Sequence, residues 1–390
     1  RRGGSRTGIY AAVAAVIIVV LLVGVGYGTN WYGTQKKTST TPPVVGACPT
    51  GQTLSGAGAQ AALALMSTWT QDYQTASSNT LNYNPSGSGS GLTSFTDKAV
   101  DFAVTDDPLN TTQTAALPSP ALTLPITGSA LTVIYNLPGI TKPIQLSGPT
   151  LADIYLGAIT NWNDSRITAN NSGVKFPDQT IVTVHRSDAA GLTFVLTSLL
   201  AKDSVAWNSG PGSAIAISWP KAPVQDSVKG NSLVISTVQS TSYSIGYSDL
   251  SDVLASPGLA YAKILNPSGN YILPTPANSA AAIANLSLTT SFPNASGSWD
   301  GITMVNSPGS FDYPVATFIY LFVYQKADQG FSPSLDKTQA LIQFVNWTLA
   351  SGQAYAGALY YASLPAKVLA NDRAGLASIT YNGAAVPACG

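Results

Sequence analysis

The stretch TLNYNPSGSGSGLTSFTDKAVDFAVTDD (Thr80–Asp107) decides how the rest of the chain is read. Its pattern predicts a short strand at Leu81–Tyr83, a glycine-serine loop at Ser86–Gly91, a helix over Leu92–Lys98, a second strand at Asp101–Val104, and then two carboxylates, Asp106 and Asp107. A loop of small residues that runs into a helix start leaves several backbone N–H groups without acceptors, at the positive end of the helix dipole. That geometry invites an anion. Strand, loop and helix alternate along the rest of the chain too, which indicates an α/β architecture.

The 390 residues suffice for two or three domains. Only 9% of them are charged and the formal net charge is zero, so the basic footprint that nucleic acid requires is missing. With 45% hydrophobic residues the chain can build a core, which excludes disorder. One His and two Cys cannot supply a four-ligand zinc site of the Cys/His kind, and no nucleophile–base pair emerges. No cofactor and no catalytic residue is therefore predicted. His185, at the end of an apolar strand beside Arg186, reads as structural.

Upstream, Ile9–Gly28 is an uncharged run long enough to cross about 30 Å of hydrocarbon. Arg1, Arg2 and Arg6 precede it and Trp31 and Tyr32 follow it, which orients the N-terminus inside the cell. Residues 1–8 are then a cytoplasmic basic tip, 9–28 a transmembrane helix, and 29–47 a Ser/Thr/Pro tether to an extracellular remainder. A cleaved secretory signal is the competing reading, but the run is longer than a signal core and no small-x-small cleavage site follows. In an oxidising exterior the only two cysteines, Cys48 and Cys389, are expected to pair, stabilising by on the order of 5 kcal/mol on the chain-entropy model. Six Asn-x-Ser/Thr sequons, at Asn110, Asn163, Asn170, Asn285, Asn294 and Asn346, fit a glycosylated surface. The low charge would also suit an acidic exterior.

Next to the opening stretch, Thr53–Ala59 reads as a strand and Gln60–Tyr73 as a helix. Gly56–Ala61 matches the dinucleotide pattern G-x-G-x-x-A, but no acidic residue ends a second strand about 20 residues on. What remains is another helix start able to face an anion. Further along, LSGPTLADIYLGAITNW (Leu146–Trp162) reads as helical, and Thr180–Val184 as a buried strand that delivers His185, Arg186, Ser187 and Asp188. Ala189–Gly191 then lead into a helix over Leu192–Leu200. Arg186 is the one cation at these junctions; its guanidinium can fork onto an oxyanion, with Asp188 close enough to hold it. Ser232–Ser248 reads as a strand and FIYLFVY (Phe318–Tyr324) as a core strand, too short for a membrane span. Lys337–Tyr355 and Pro365–Ala377 read as helices.

Six ordered stretches resemble the phosphate-binding proteins of ABC-type phosphate importers. They are SGAGA (Ser55–Ala59), the glycine-serine loop with VDFAVTDDPL (Val100–Leu109), LADIYLGAITNWND (Leu151–Asp164), VHRSDAAGLTFVLTSLLAK (Val184–Lys202), SIGYSDL (Ser244–Leu250) and YYASLP (Tyr360–Pro365). The resemblance spans about Leu54–Ala377. It implies a two-lobed periplasmic-binding-protein-like fold with two interlobe crossovers, residues 48–127 and 247–390 forming lobe one and 128–246 lobe two. In that family the lobes close over a dehydrated phosphate held without a metal. At the matching positions the resemblance implies that Ser88 donates to a phosphate oxygen and Asp106 accepts from a protonated one. Arg186 would be the cationic fork, oriented by Asp188, and Gly191 would offer its N–H. A carboxylate against an anion costs several kcal/mol unless the anion brings a proton, so sulfate would be rejected.

The departures are as specific. The family's Ser-Gly-Thr run is Ala190-Gly191-Leu192 here, with Thr193 one place late, and its Thr-Phe after SGAGA is Gln60-Ala61. Each missing hydroxyl is worth about 1–3 kcal/mol to a charged ligand, so Gln60, Ser90 and Thr193 are the expected substitutes. Two functions follow. In one, a membrane-tethered solute-binding protein captures inorganic phosphate outside the cell and delivers it to an ABC permease. In the other, a cell-surface structural or interaction protein keeps the fold without tight phosphate binding and assembles, with itself or with partners, through its N-terminal helix.

Overall fold

Three strands and two helices come first in the computed structural model, which describes residues 48–140, 142–387 and 389. They are β1 (Thr53–Gly58), α1 (Leu63–Ser77), β2 (Thr80–Asn84), α2 (Ser88–Thr96) and β3 (Phe102–Thr105). β1 lies between β2 and β3 and is parallel to both, as strands joined through helices are. In α1 the side chains of Leu65, Met66, Trp69 and Tyr73 are buried, a stripe at helical spacing that faces the core. Before it, Gln60–Ala62 forms a single tighter turn rather than the start of one continuous helix. The predicted anchor and tether lie outside the described residues. Among the described residues no helix is long and apolar enough to cross a membrane.

β4 (Ala121–Asn136) is the strand that joins the lobes, 16 residues long and buried from Leu122 to Tyr135. Its first part, Ala121–Ala130, pairs antiparallel with β12 (Ala316–Tyr324), and its second, Leu131–Asn136, pairs with β8 (Ser244–Asp249). A register shift falls where Ile319 pairs Thr127 and Tyr320 pairs Pro125, so Ile126 bulges beside a residue that has no N–H to donate. The FIYLFVY segment is buried throughout as part of β12, as the sequence predicts.

Past β4 the chain builds the second lobe from β5 (Gln145–Leu146), α3 (Gly148–Tyr155), β6 (Val182–Arg186), α4 (Gly191–Asp203), β7 (Val224–Val228), α5 (Asn231–Ser240) and β8. A short α6 (Leu250–Leu254) and the strands β9 (Ala260–Tyr261), β10 (Lys263–Leu265) and β11 (Tyr271–Ile272) follow. It then returns through α7 (Pro276–Thr289), β12, α8 (Leu335–Thr348) and α9 (Ala366–Leu376) to the first lobe. Strand order across the shared sheet is β2-β1-β3-β12-β4-β8-β6-β7, with β9 also on β4.

β8 and β9 both bond to the second half of β4, and β10 pairs β5. Two expectations shift. Ser232–Ser248 is not one strand: α5 occupies Asn231–Ser240, and its Val234, Ile235 and Val238 form a buried helical face that β-branched residues disguised as a strand pattern. Helix over Leu146–Trp162 is limited to α3, since Gly157 turns the chain at φ 74°. Cys48 and Cys389 are joined, closing a loop across a sequence separation of 341 residues.

Candidate functional site

α2 starts at Ser88, four residues earlier than the apolar pattern indicates, so the glycine-serine segment is itself the first helical turn. Its leading N–H groups therefore lack intrahelical acceptors. Ser88 is 2% exposed, and its hydroxyl lies 3.5 Å from Oδ2 of Asp106, which follows β3. Oδ1 of Asp106 is buried with no protein partner, as is Oδ1 of Asp107. Burial, reinforced by the neighbouring Asp107 charge, pushes the Asp106 carboxyl up to about 7, against the pull of Arg186 and Ser88. Burial likewise pushes Asp107 to about 7.

Across the cleft, β6 delivers Arg186, 3% exposed. Its Nε donates to Oδ1 of Asp188 at 2.7 Å, Nη2 to Oδ2 of Asp188 at 2.5 Å, and Nη1 to Oδ1 of Asn231 at 2.5 Å. A guanidinium has five N–H groups, so two remain beyond these. Burial alone would raise Asp188, but its hydrogen bonds and charge pairing with Arg186 hold it below the ordinary carboxylate range. The strand end is fixed from behind: the Arg186 N–H donates to the Tyr247 hydroxyl at 3.2 Å and its carbonyl accepts from Trp219 Nε1 at 3.1 Å. His185 stacks on Trp219 at 4.5 Å, and burial lowers its pKa, in keeping with the structural role read from the sequence.

The lobes meet at the start of α4. A Cβ on Gly191 would sit 2.7 Å from Cβ of Asp106, so only glycine lets this helix end reach the carboxylate. The Gly89 N–H donates to the Ala189 carbonyl at 3.2 Å, a main-chain bond from one lobe to the other. Ser88, Asp106, Arg186, Asp188 and Gly191 are thus brought together.

Thr193 and Gln60 are placed differently from expectation. The Thr193 hydroxyl is 2.7 Å from that of Tyr247, behind Arg186. The Gln60 Oε1 accepts from the N–H of Asn231 at 2.7 Å, on the far lobe. Leu192, where the resemblance leads to expect a hydroxyl, is 1% exposed within the core. Asn231 and Asp252, whose Oδ2 accepts from Asn231 Nδ2 at 2.7 Å, belong to no motif that the sequence displays. The available signal was Lys229-Gly230-Asn231 after a strand, one more helix start hidden by reading the segment as extended. Burial raises Asp252 to about 6, and burial with the Asp252 charge raises Asp249 to about 8.

The sequons differ in what their amides do. Asn163, Asn170, Asn294 and Asn346 are exposed. Asn110 is exposed but caps a helix by accepting from the Gln113 N–H. Asn285 donates to Oδ2 of Asp312 at 2.9 Å and is engaged in the fold.

Comparison with known proteins bears on the family and the fold. A family model described as "PBP superfamily domain" matches residues 38–351. The chain is 34% identical over 322 residues to the phosphate-binding protein PstS of Pasteurella multocida, covering 82% of this chain and 88% of that one. It is 33% identical over 295 residues to PstS of Methanocaldococcus jannaschii, covering 73% and 75%. Among solved structures, a high affinity periplasmic phosphate-binding protein (PfluDING) bound with phosphate superposes with a TM-score of 0.65 at 21% identity, over 83% of this chain and 93% of that one. A phosphate-binding protein from Stenotrophomonas maltophilia gives 0.61 at 16% identity, over 83% and 94%. At such identities the two structures speak for the fold.

Proposed function

The chain belongs to the PBP superfamily and, within it, to the phosphate-binding proteins of the PstS type, and from that membership we propose that it captures inorganic phosphate between its lobes and hands it to an ABC-type permease. It is a substrate-binding protein and not an enzyme. One observation carries the choice of ligand: Arg186 keeps two N–H groups for an acceptor, while Asp106 on the opposite lobe presents a buried oxygen with no protein partner. An oxyanion with both bare and protonated oxygens satisfies the two together. Bare oxygens would accept from Arg186, from the Ser88 hydroxyl and from the N–H groups at the start of α4; the protonated oxygen would donate to Asp106. Sulfate has no proton to offer and would leave two negative charges facing each other in a buried site.

The membrane tether belongs to the same proposal. Residues 9–28 would anchor the chain, and residues 29–47 would let the lobes range up to roughly 60 Å from the surface. The exposed Asn163, Asn170, Asn294 and Asn346 are the sequons open to glycans. The test is a calorimetric titration of phosphate into the full chain in detergent, unfolded and refolded beforehand to strip carried ligand, with sulfate as control. Micromolar or tighter phosphate binding, lost in Arg186→Ala and absent for sulfate, is the expected result.

The state of the α4 start favours a second reading. Leu192 has no hydroxyl and packs in the core, and the Thr193 hydroxyl is paired with that of Tyr247, 2.7 Å away. This supports a cell-surface structural or interaction protein that keeps the fold without tight phosphate binding and assembles through its N-terminal helix. No heat and no thermal shift at millimolar phosphate would make it the leading account.

A further inference from the structure

Asn231, which the sequence motifs do not single out, ties three elements of the cleft together. It opens α5, is 3% exposed, and makes three hydrogen bonds to three different elements. Its Oδ1 accepts from Arg186 Nη1 at 2.5 Å, its Nδ2 donates to Asp252 at 2.7 Å, and its main-chain N–H donates to Gln60 Oε1 at 2.7 Å. Next to it, the Gly230 N–H donates to Oδ1 of Asp188 at 3.2 Å, so both partners of the guanidinium are tied to one turn of backbone. Gly230 has φ 88°, and a Cβ there would lie 3.0 Å from the Gln60 amide; backbone shape and close approach both call for glycine.

Gln60 comes from the other lobe, in the turn that follows β1. Its amide crosses the cleft and takes an N–H at the first turn of α5, a group that would otherwise have no intrahelical acceptor. The bond can exist only when the lobes are together. When it forms, it fixes the residue that aims Arg186.

Building on the phosphate-binding reading, we infer that Asn231 is the positioning residue for the ligand-binding guanidinium and that Gln60 is an interlobe clasp acting on it, so that lobe closure and the aiming of Arg186 are one event. Gln60 stands where the resemblance leads to expect a hydroxyl donor to the ligand. Its carbonyl oxygen instead stabilises the closed cleft, and the effect of that falls on ligand release. Asn231 is matched to its neighbours by polarity: an acceptor toward Arg186, a donor toward Asp252. A carboxylate in its place would keep the first contact and turn the second into a repulsion between two buried anions.

The experiment uses the full chain in detergent and three variants, Gln60→Ala, Asn231→Asp and Asn231→Asp with Asp252→Asn. Phosphate affinity and dissociation rate are measured alongside hydrogen exchange of the Asn231 amide. Gln60→Ala should weaken phosphate roughly fivefold, mainly by faster release, and should expose the Asn231 amide to exchange. Asn231→Asp should weaken phosphate by tenfold or more, on the order of a lost bond to a charged group, and make the affinity pH-dependent. Adding Asp252→Asn restores a donor opposite the new carboxylate and should recover affinity to within about threefold. Destabilisation alone would not be repaired by that second change. Wild-type phosphate affinity in Gln60→Ala, or no recovery in the double variant, would overturn the inference. If the wild-type chain does not bind phosphate at all, the transport reading fails, and exchange decides the clasp: unchanged protection of the Asn231 amide in Gln60→Ala would sink it, and lost protection would support it.

Discussion

The two helix starts that meet in the cleft, α2 from lobe one and α4 from lobe two, are built from opposite materials. α2 opens with Ser88, whose hydroxyl lies 3.5 Å from the buried Asp106, followed by Gly89; α4 opens with Gly191 and Leu192 after Ala190, and neither helix has a side-chain N-cap. One side offers a hydroxyl and a proton acceptor. The other offers main-chain N–H groups and a single guanidinium, braced by Asp188 and Asn231. On the phosphate-binding proposal the lobes would divide the work: lobe one would read whether the ligand carries a proton, and lobe two would neutralise its charge.

Removing the charge should have the largest effect. If its two remaining N–H groups hold the ligand as proposed, Arg186→Ala deletes both bonds and leaves Asp188 without its cation, so phosphate affinity should fall roughly a hundred- to a thousandfold by calorimetry. Arg186→Lys should fall between this variant and wild type, because an ammonium cannot hold Asp188, Asn231 and the ligand in one plane. Equal affinity in Arg186→Ala would move the ligand away from this site altogether. Asp106→Asn tests the other lobe. At pH 8 the carboxylate of Asp106, pushed up to about 7, is mostly ionised, and the amide should admit sulfate while weakening phosphate about tenfold. In the wild-type chain the same discrimination should fade below pH 7, as Asp106 gains a proton that it can donate to sulfate. A phosphate-to-sulfate ratio that stays flat from pH 8 to pH 5 would exclude Asp106 as the reader.

Much of this was legible in the sequence, for a definite reason. Ser88, Asp106, Arg186 and Asp188 sit at strand–loop–helix junctions where small residues, a carboxylate or a cation interrupt apolar runs, and such interruptions stand out locally. The disulfide was readable from cysteine number and compartment alone. Asn231, Asp252 and the path of Gln60 were not, because their meaning lies in contacts such as Gln60–Asn231, 171 residues apart in sequence. The rank of Val and Ile residues in α5 gave a strand pattern that tertiary packing overrode. SIGYSDL reads as a core strand in either lobe, and only its pairing with the second half of β4 gives its neighbours.

The carboxylates carry the comparison into stability. Asp106, Asp107, Asp252 and Asp249 are raised to about 7, 7, 6 and 8 from 3.8, all chiefly by burial. Each binds its proton more tightly folded than unfolded, so its favourable contribution is present at low pH and is lost as pH rises through the folded value. Asp188, lowered by Arg186, has the opposite sign and acts only near or below the ordinary carboxylate range. Between pH 5 and 8 the raised group dominates. Thermal unfolding of the full chain without phosphate should thus occur at a higher Tm at pH 5 than at pH 8, by on the order of 5 °C. Asp249→Asn should flatten part of that slope, and a Tm that rises toward pH 8 would contradict the placement of these groups.

The smallest change is the sharpest test of the asymmetry. Ala190 is the N-cap of α4, 3% exposed, with extended backbone at φ −134° and ψ 132° that suits a capping residue. In Ala190→Ser the new oxygen can accept from an N–H of the first turn, which should stabilise the fold by about 1 kcal/mol. Its hydrogen stays free to donate to a phosphate oxygen, adding roughly fivefold in affinity. The two effects separate the possibilities: Tm without ligand reads the cap, and calorimetry reads the ligand contact. A rise in Tm with unchanged affinity would mean that the start of α4 is capped but does not face the ligand, and lobe two would then act through Arg186 alone. A rise in both would show that the apolar opening of α4 holds phosphate affinity below what this backbone can support.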